Sequence, residues 1–387
     1  MASPKKPSFP ALKTAPIGYA AVMNQQPEAR IIPLFGAAPE AEPTAEQTLD
    51  SETWRKSIPA QVFLNYFHAI AYHLGQADDV TPLRQLPFFR EAPAAPLTYE
   101  EQAEVVRLLH TGWSTEYALR ATAELGDENY LRNALHWTVP QADYAIFGIL
   151  EAFLHTRGIK SRNAAVVARE VGRLVVRGAY PRVVGYYAAG HYPEFAVQRL
   201  PLAAYKPGLG LAGKDIEAQA QIGQFLRTTR RLKATTVRQQ VQANPNTAIR
   251  SARTGQPLDK WKPQHWQQIT WRLGYTTIFD LLGRLRISAT SREIERYVEA
   301  EIDYKHFHES LLTIVRYLNG LHETYVAQAL GLQKYREVIA TLPAHLHDTF
   351  PAERLRAVVE PSLAPQAAPA PLMRRADDTP DALPMAA

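Results

Sequence analysis

A chain of 387 residues, 46% hydrophobic and 21% charged, has enough apolar material for a sizeable core and is not disordered throughout. It contains no cysteine, which excludes disulfide frameworks, thiolate metal sites and cysteine nucleophiles. Its formal charge of +5 arises from 43 Lys and Arg, 31 of them Arg, against 38 Asp and Glu, a mild excess that favours an anionic partner without naming one.

Residues 1–50 are rich in Pro, Ala and Glu with no sustained period, so they are expected to form a disordered arm. Within it, Arg30–Phe35 (RIIPLF) is a segment able to dock in extended form. Proline interrupts the apolar residues of MASPKKPSFPALK, so no export signal is read there; with the absence of cysteine, a cytoplasmic location is expected. From Ser57, the residues Ile58, Val62, Phe63, Tyr66, Phe67, Ile70 and Leu74 recur at steps of three and four, predicting a helix that stops at Gly75. Thr98 and Glu101 make a capping box for a helix to Gly112, followed by a short helix from Ser114 to Gly126. Asp127 then caps a helix from Tyr130 to about Trp137, before Pro140 forces a break or a new first turn.

Gln141–Gly158 is apolar on several faces, with Tyr144, Ile146, Phe147, Ile149, Leu150, Phe153 and Leu154, and so belongs at the centre of a bundle. Its most apolar stretch, Tyr144–Leu154, is too short to span a membrane and holds Glu151. Asn163 caps a helix through Val166, Val167, Val171, Leu174 and Val175 to Gly178, expected to lie antiparallel to the one before it. From Ala179 to Gly213 the pattern dissolves into Pro, Gly and Tyr, a long loop or junction. Its GLGLAG run lacks the preceding strand and following Lys-Ser/Thr of a phosphate-binding loop.

Helices resume at about 215–233, 277–287 and 291–301, the last with a capping box at Thr290 and Glu293. A long spine, Asp303–Leu330, carries Phe307, Leu311, Ile314, Leu318, Leu321, Tyr325 and Ala329 on one face and is closed by Gly331. Residues 361–387 return to Pro and Ala. The expected architecture is an all-α helical bundle without a β-sheet or a fixed-period repeat. It comprises a disordered arm (1–50), a helical region (51–190), a junction (191–214), a second helical region (215–360) and a disordered tail (361–387).

The strongest chemical asymmetry lies in Ala218–Leu258, which contains no Asp or Glu but holds Arg227, Arg230, Arg231, Lys233, Arg238, Arg250 and Arg253. Lys260, Trp261, Lys262, His265, Trp266, Trp271 and Arg272 follow. Cationic heads that meet phosphates, interleaved with aromatic faces that stack on bases, suit single-stranded nucleic acid, and RNA is the expected partner. The opposing reading makes the tryptophans core anchors and the arginines a solvated face. Metal binding has little basis. His306 and His308 are two apart on a helix and point to nearly opposite sides, His345 and His347 follow Pro343, and no recognised ligand spacing occurs. No cofactor is expected, and the absence of GxSxG leaves a hydrolase triad without support.

The pair of segments within QADYAIFGILEAFLHTRGIKSRNAAVVAREVGRLVVRG resembles the HEPN superfamily, in which an aromatic-rich helix, a Gly turn and a helix with spaced valines recur. LLGRLRISATSREIERYVEAEIDYKHFHESLLTIVRYLNGLHETYVAQALG is similar to the C-terminal helices of uncharacterised bacterial HEPN-like proteins. The resemblance covers about a quarter of the chain, mostly at packing positions. It implies a helical fold that binds or acts on RNA, in a toxin or antiviral defence role. HEPN ribonucleases carry an Arg and, after four to six residues, a His; the matching pair here is Arg316 and His322. His322 would then exchange a proton at the ribose 2′-hydroxyl, without a metal, and Arg316 would stabilise the phosphate, in a site completed across a homodimer. Two features depart from the pattern: Tyr317 follows the arginine, and six steps along a helix separate the two side chains by about 120°. The alternative is a non-catalytic helical interaction or scaffold protein that meets a protein partner.

Overall fold

The computed structural model describes residues 61–364 apart from 63, 77–80, 92–95, 162, 252, 291–296, 299 and 301. All of them belong to the compact unit Asp50–Ala387. The expected arm, the expected tail beyond Ala364 and nearly all of the helix expected at 291–301 lie outside the described residues.

The chain is predominantly helical. Helix α1 covers 61–75, position 63 apart, and two short helices follow, α2 (Thr81–Gln85) and α3 (Pro87–Arg90). The capping box forms as its residues dictate: Glu101 N–H donates to Thr98 Oγ1 at 3.3 Å, and Thr98 N–H donates to Glu101 Oε2 at 2.8 Å. The helix it opens, α4 (Tyr99–Leu125), runs straight through Gly112 instead of ending there. Likewise α5 (Glu128–Thr156) continues through Pro140. The two have different physical causes. A Cβ on Gly112 would sit 2.5 Å from Ile149 Cδ1, and one on Gly148 would sit 3.2 Å from Gly112 Cα, so these glycines let α4 and α5 approach closely. Pro140 deprives only the carbonyl of His136, an exposed position where water can serve.

Asn163 Oδ1 accepts from Ala165 N–H at the start of α6 (Ala164–Val176), and Gly178 takes φ 87° after its end. Rather than lying along α5, α6 packs on α10 (Ile278–Thr290) and on a small sheet. That sheet was not expected. Strands β1 (Tyr187–Ala189), β2 (Ala196–Gln198) and β3 (Thr276–Thr277) line up in the order β2-β1-β3, antiparallel throughout, with Ala188 opposite Val197 and Thr276. Strands of two or three residues are too short to leave a period of two in a sequence.

Helix α7 (Asp215–Ala243) runs ten residues beyond the expected end at 233. It is followed by α8 (Pro263–Gln268) and α9 (Thr270–Leu273). The spine is α11 (Tyr304–Leu330), opened by Asp303, whose side chain accepts from His306 N–H, and followed by Gly331 at φ 86°. Beyond it lie α12 (Leu332–Ala340), α13 (Ala344–His347), α14 (Phe350–Arg354), a π-helical turn at Leu355–Val359 and α15 (Glu360–Leu363). One hydrophobic core joins residues of α1, α4, α5, α6, the inner half of α7, α10, α11 and the C-terminal turns. Between Leu318 and Ala327 every residue of α11 is buried, as befits a central helix.

A charge network crosses that core. Arg354 bonds to both Glu116 of α4 and Glu323 of α11, all three buried. Asn319 Nδ2 donates to Glu116 at 2.7 Å, while Trp113 Nε1 and the Tyr335 hydroxyl each donate to Glu323 at 2.9 Å. The cation holds the Glu116 carboxyl below its usual range, whereas burial pushes Glu323 up.

Candidate nucleic-acid interface

At 29 residues, α7 is roughly 43 Å long. Its inner half presents Ala218, Ile222, Phe225 and Leu226 to the main core. Its outer half supplies Ala234 and Val241 to a separate cluster, closed by Trp266, Ile269 and Leu273 with Tyr192, Val237, Ile249 and Trp261 against it. Segment 244–262 folds back on the helix: Gln242 Nε2 donates to Leu258 O at 2.8 Å, and Ile249 N–H donates to Gln242 Oε1 at 2.9 Å. The tryptophans at 261 and 266 therefore serve as anchors of this satellite, their ring centroids 4.8 Å apart.

The basic residues divide by environment. Arg230 is fully buried, and its Nη1 donates to Ala188 O, Gly274 O and Thr276 Oγ1, each at 3.1 Å, while Nη2 bonds to Gly190 O. Desolvation lowers its pKa to about 10, which still leaves it charged near neutrality. It therefore ties the ends of β1 and β3 together and has no access to a ligand. Lys233 Nζ donates to Tyr275 O at 3.0 Å and pairs with Asp280 at 2.9 Å. Arg227 bonds to Ala203 O, and Arg238 bonds to Asp259 O with its guanidinium 5.7 Å from the Trp261 ring centroid. These four cations are built into the fold.

Six others are exposed: Arg231, Arg250, Arg253, Lys260, Lys262 and Arg272. Arg250 Nη1 donates to Gly255 O at 2.9 Å, and Arg272 stands 5.0 Å from the ring centroid of Trp271, which is 70% exposed. Among the described residues none of the six pairs with a carboxylate; of the basic residues singled out between 227 and 272, Lys233 alone does so. Arg231 and Arg238 are seven apart, two turns of helix, so Arg231 shares the face of α7 onto which Asp259 and Trp261 fold.

The pair expected for catalysis is not brought together. Arg316 is exposed on α11, whereas His322 is fully buried. The ring of His322 stacks on Phe153 at 5.7 Å, lies 5.8 Å from Phe279, and its Nε2 is hydrogen-bonded to the Tyr180 hydroxyl at 3.0 Å. Burial drives its pKa down to about 3, so it stays neutral at physiological pH. A phosphate touching Arg316 could meet this imidazole only if the core opened. The remaining histidines of α11 are also engaged: His308 Nε2 meets Thr138 Oγ1 at 3.0 Å, and His306 Nε2 meets His68 Nδ1 at 2.6 Å. In GLGLAG, the carbonyls of Leu209, Gly210 and Ala212 are taken by Asn65, Gln221 and His68, so that run is held by its oxygens.

Sequence reading missed Arg182 and Arg199, which the junction hides in a stretch without period. Arg199, at φ 61°, caps the C-terminus of α6: Nη1 donates to Val175 O at 2.8 Å and to Gly185 O at 3.3 Å, and Nη2 donates to Val176 O at 2.9 Å. No protein-family model, curated protein or solved structure matches the chain. Among the described residues no helix is long and apolar enough to cross a membrane.

Proposed function

We propose that this chain is a HEPN-like helical protein that binds single-stranded RNA on the satellite formed by the outer half of α7 and residues 244–273. The observation that carries the reading is the set of six exposed cations without a carboxylate partner, beside the exposed Trp271. Uncompensated cations gain by releasing counterions from a phosphate backbone, and an exposed indole stacks on any base. Because His322 is neutral and enclosed, the reading is one of binding without cleavage by Arg316 and His322. The test is titration of a labelled mixed-sequence RNA oligonucleotide across a salt series, with wild type and with Arg250, Arg253, Lys260 and Lys262 all changed to Gln. The quadruple variant is expected to bind at least tenfold more weakly with an unchanged melting temperature. Binding that ignores both salt and the four substitutions would remove the proposal.

A protein-partner reading draws on a different surface. Tyr130, Trp137 and Tyr144 lie at steps of seven along α5, and each is more than half exposed. Residues seven apart share a helix face, so this is an aromatic stripe of the kind that an apolar face of another protein covers.

A further inference from the structure

A cavity of about 390 Å³ lies where β2 and the turn after it meet the inner half of α7, away from the satellite just described. Three arginines line it, Arg182, Arg199 and Arg227, together with Phe195, Leu200 and Pro201, and no Asp or Glu is among its lining residues. Among the described residues none of the three arginines pairs with a carboxylate, and the nearest acid along the chain, Glu194, faces His191 at 3.3 Å. Each guanidinium offers five N–H donors. Arg199 spends three of its hydrogen bonds on the carbonyls of Val175, Gly185 and Val176, and Arg227 spends one on Ala203. Arg182 is exposed, and among the described residues its guanidinium bonds to none. The carbonyl contacts fix two of the three cations in place while leaving N–H donors unused, and no carboxylate neutralises them, which is preorganisation for an anion.

We propose that this cavity binds a phosphomonoester. Three arginines around one space without an acid carry more positive charge than a carboxylate monoanion can balance, whereas a phosphomonoester offers three terminal oxygens and close to two negative charges. The volume falls near the lower end of the ~300–1,000 Å³ typical of small-ligand sites, so a phosphate enters with a compact organic body against Phe195, Leu200 and Pro201. That chemistry has two sources, a free small molecule and the phosphorylated end of an RNA strand. The site stands independently of the satellite reading, from which it differs in location and in the group recognised.

Calorimetric titrations with inorganic phosphate, AMP and adenosine, and with one RNA oligonucleotide bearing either a 5′-phosphate or a 5′-hydroxyl, test it. AMP and phosphate are expected to bind, and adenosine at least tenfold more weakly than AMP. Arg182→Gln and the Arg182→Gln, Arg227→Gln double variant should each weaken AMP at least tenfold, while Lys262→Gln leaves AMP unchanged. Arg182 has no structural bond to lose, so its single substitution keeps the test decisive if the double variant unfolds. A preference for the 5′-phosphorylated RNA that AMP abolishes identifies the strand end as the source; equal binding of the two RNAs with AMP binding intact identifies a free phosphomonoester. AMP binding without any RNA binding would sink the satellite reading alone. Phosphate and AMP binding no better than adenosine, or AMP binding that survives Arg182→Gln, overturns the proposal.

Discussion

His322 makes acid sensitivity a property of the core, and replacing it with Phe should flatten the pH dependence of stability. In the folded chain its pKa is lowered to about 3 from the ordinary 6.5, because charging it inside a cage of Phe153, Phe279 and Tyr180 forfeits hydration. The unfolded chain accepts a proton at 6.5 and the folded chain does not. The contribution is therefore complete above pH 6.5 and is lost, at about 1.36 kcal/mol per pH unit, as the pH falls towards 3. That amounts to about 2 kcal/mol at pH 5 and about 5 kcal/mol over the whole window. His322→Phe keeps the ring stacking but strands the Tyr180 hydroxyl, which costs about 1–3 kcal/mol at pH 8. Urea unfolding at pH 8, 7, 6 and 5 should show wild type ahead at pH 8 and the two proteins converging near pH 5. His308, also lowered by burial, acts in both proteins and cancels in the difference. Parallel stability curves for the two proteins would refute the reasoning.

Two further substitutions probe the packing. Arg354→Met leaves the buried Glu323 without a cation and Glu116 with Arg120 alone, and should cost about 3–5 kcal/mol at pH 7. Adding Glu116→Gln and Glu323→Gln should recover much of that in urea unfolding; a single-variant loss below about 1 kcal/mol would show the network to be unimportant. Gly148→Ala drives a methyl to 3.2 Å from the backbone of Gly112 and should lower stability by about 1–3 kcal/mol, whereas Gly283→Ala in α10, where nothing lies within 4 Å, should raise it by up to about 1 kcal/mol. Equal shifts in melting temperature for the two alanines would contradict the crossing geometry.

Local signals were legible wherever a residue acts on its immediate neighbours. The Thr98–Glu101 box, the Asp127 and Asn163 caps and the glycines at 178 and 331 all behave as their chemistry demands, and the 3.6 period of α11 marked it as a structural spine. Signals failed where a distant partner reversed their meaning. Gly112 resembles a stop signal, yet it is the crossing point with α5, and nothing near it in the chain records Gly148. The sheet escaped for the same reason, since β1 and β3 are bound from outside by Arg230 of α7. His322 fits a catalytic spacing because the spacing concerns one helix, whereas its burial is decided by Phe153, Tyr180 and Phe279 from three other places. Glu116 and Glu323 did carry a clue, a carboxylate on the apolar face of a helix, which calls for a buried cation.

The same reversal bears on the basic segment, and a salt titration measures it. An acid-free stretch leaves its arginines without a carboxylate nearby in sequence, but backbone carbonyls are acceptors too, and Arg227, Arg230 and Arg238 have taken them. Lys233 has found Asp280. Were all ten cations from Arg227 to Arg272 free to meet phosphates, the slope of log affinity against log salt on single-stranded RNA would approach about −7; the six exposed ones limit it to about −4. Restoring charge balance at the surface by Lys260→Gln and Lys262→Gln should reduce the slope by about 1.4, and Lys233→Gln should leave it unchanged while lowering stability. A slope near −7, or one that responds to Lys233 as strongly as to Lys262, would mean that the internal cations reach the strand and that the division between built-in and free charge does not hold.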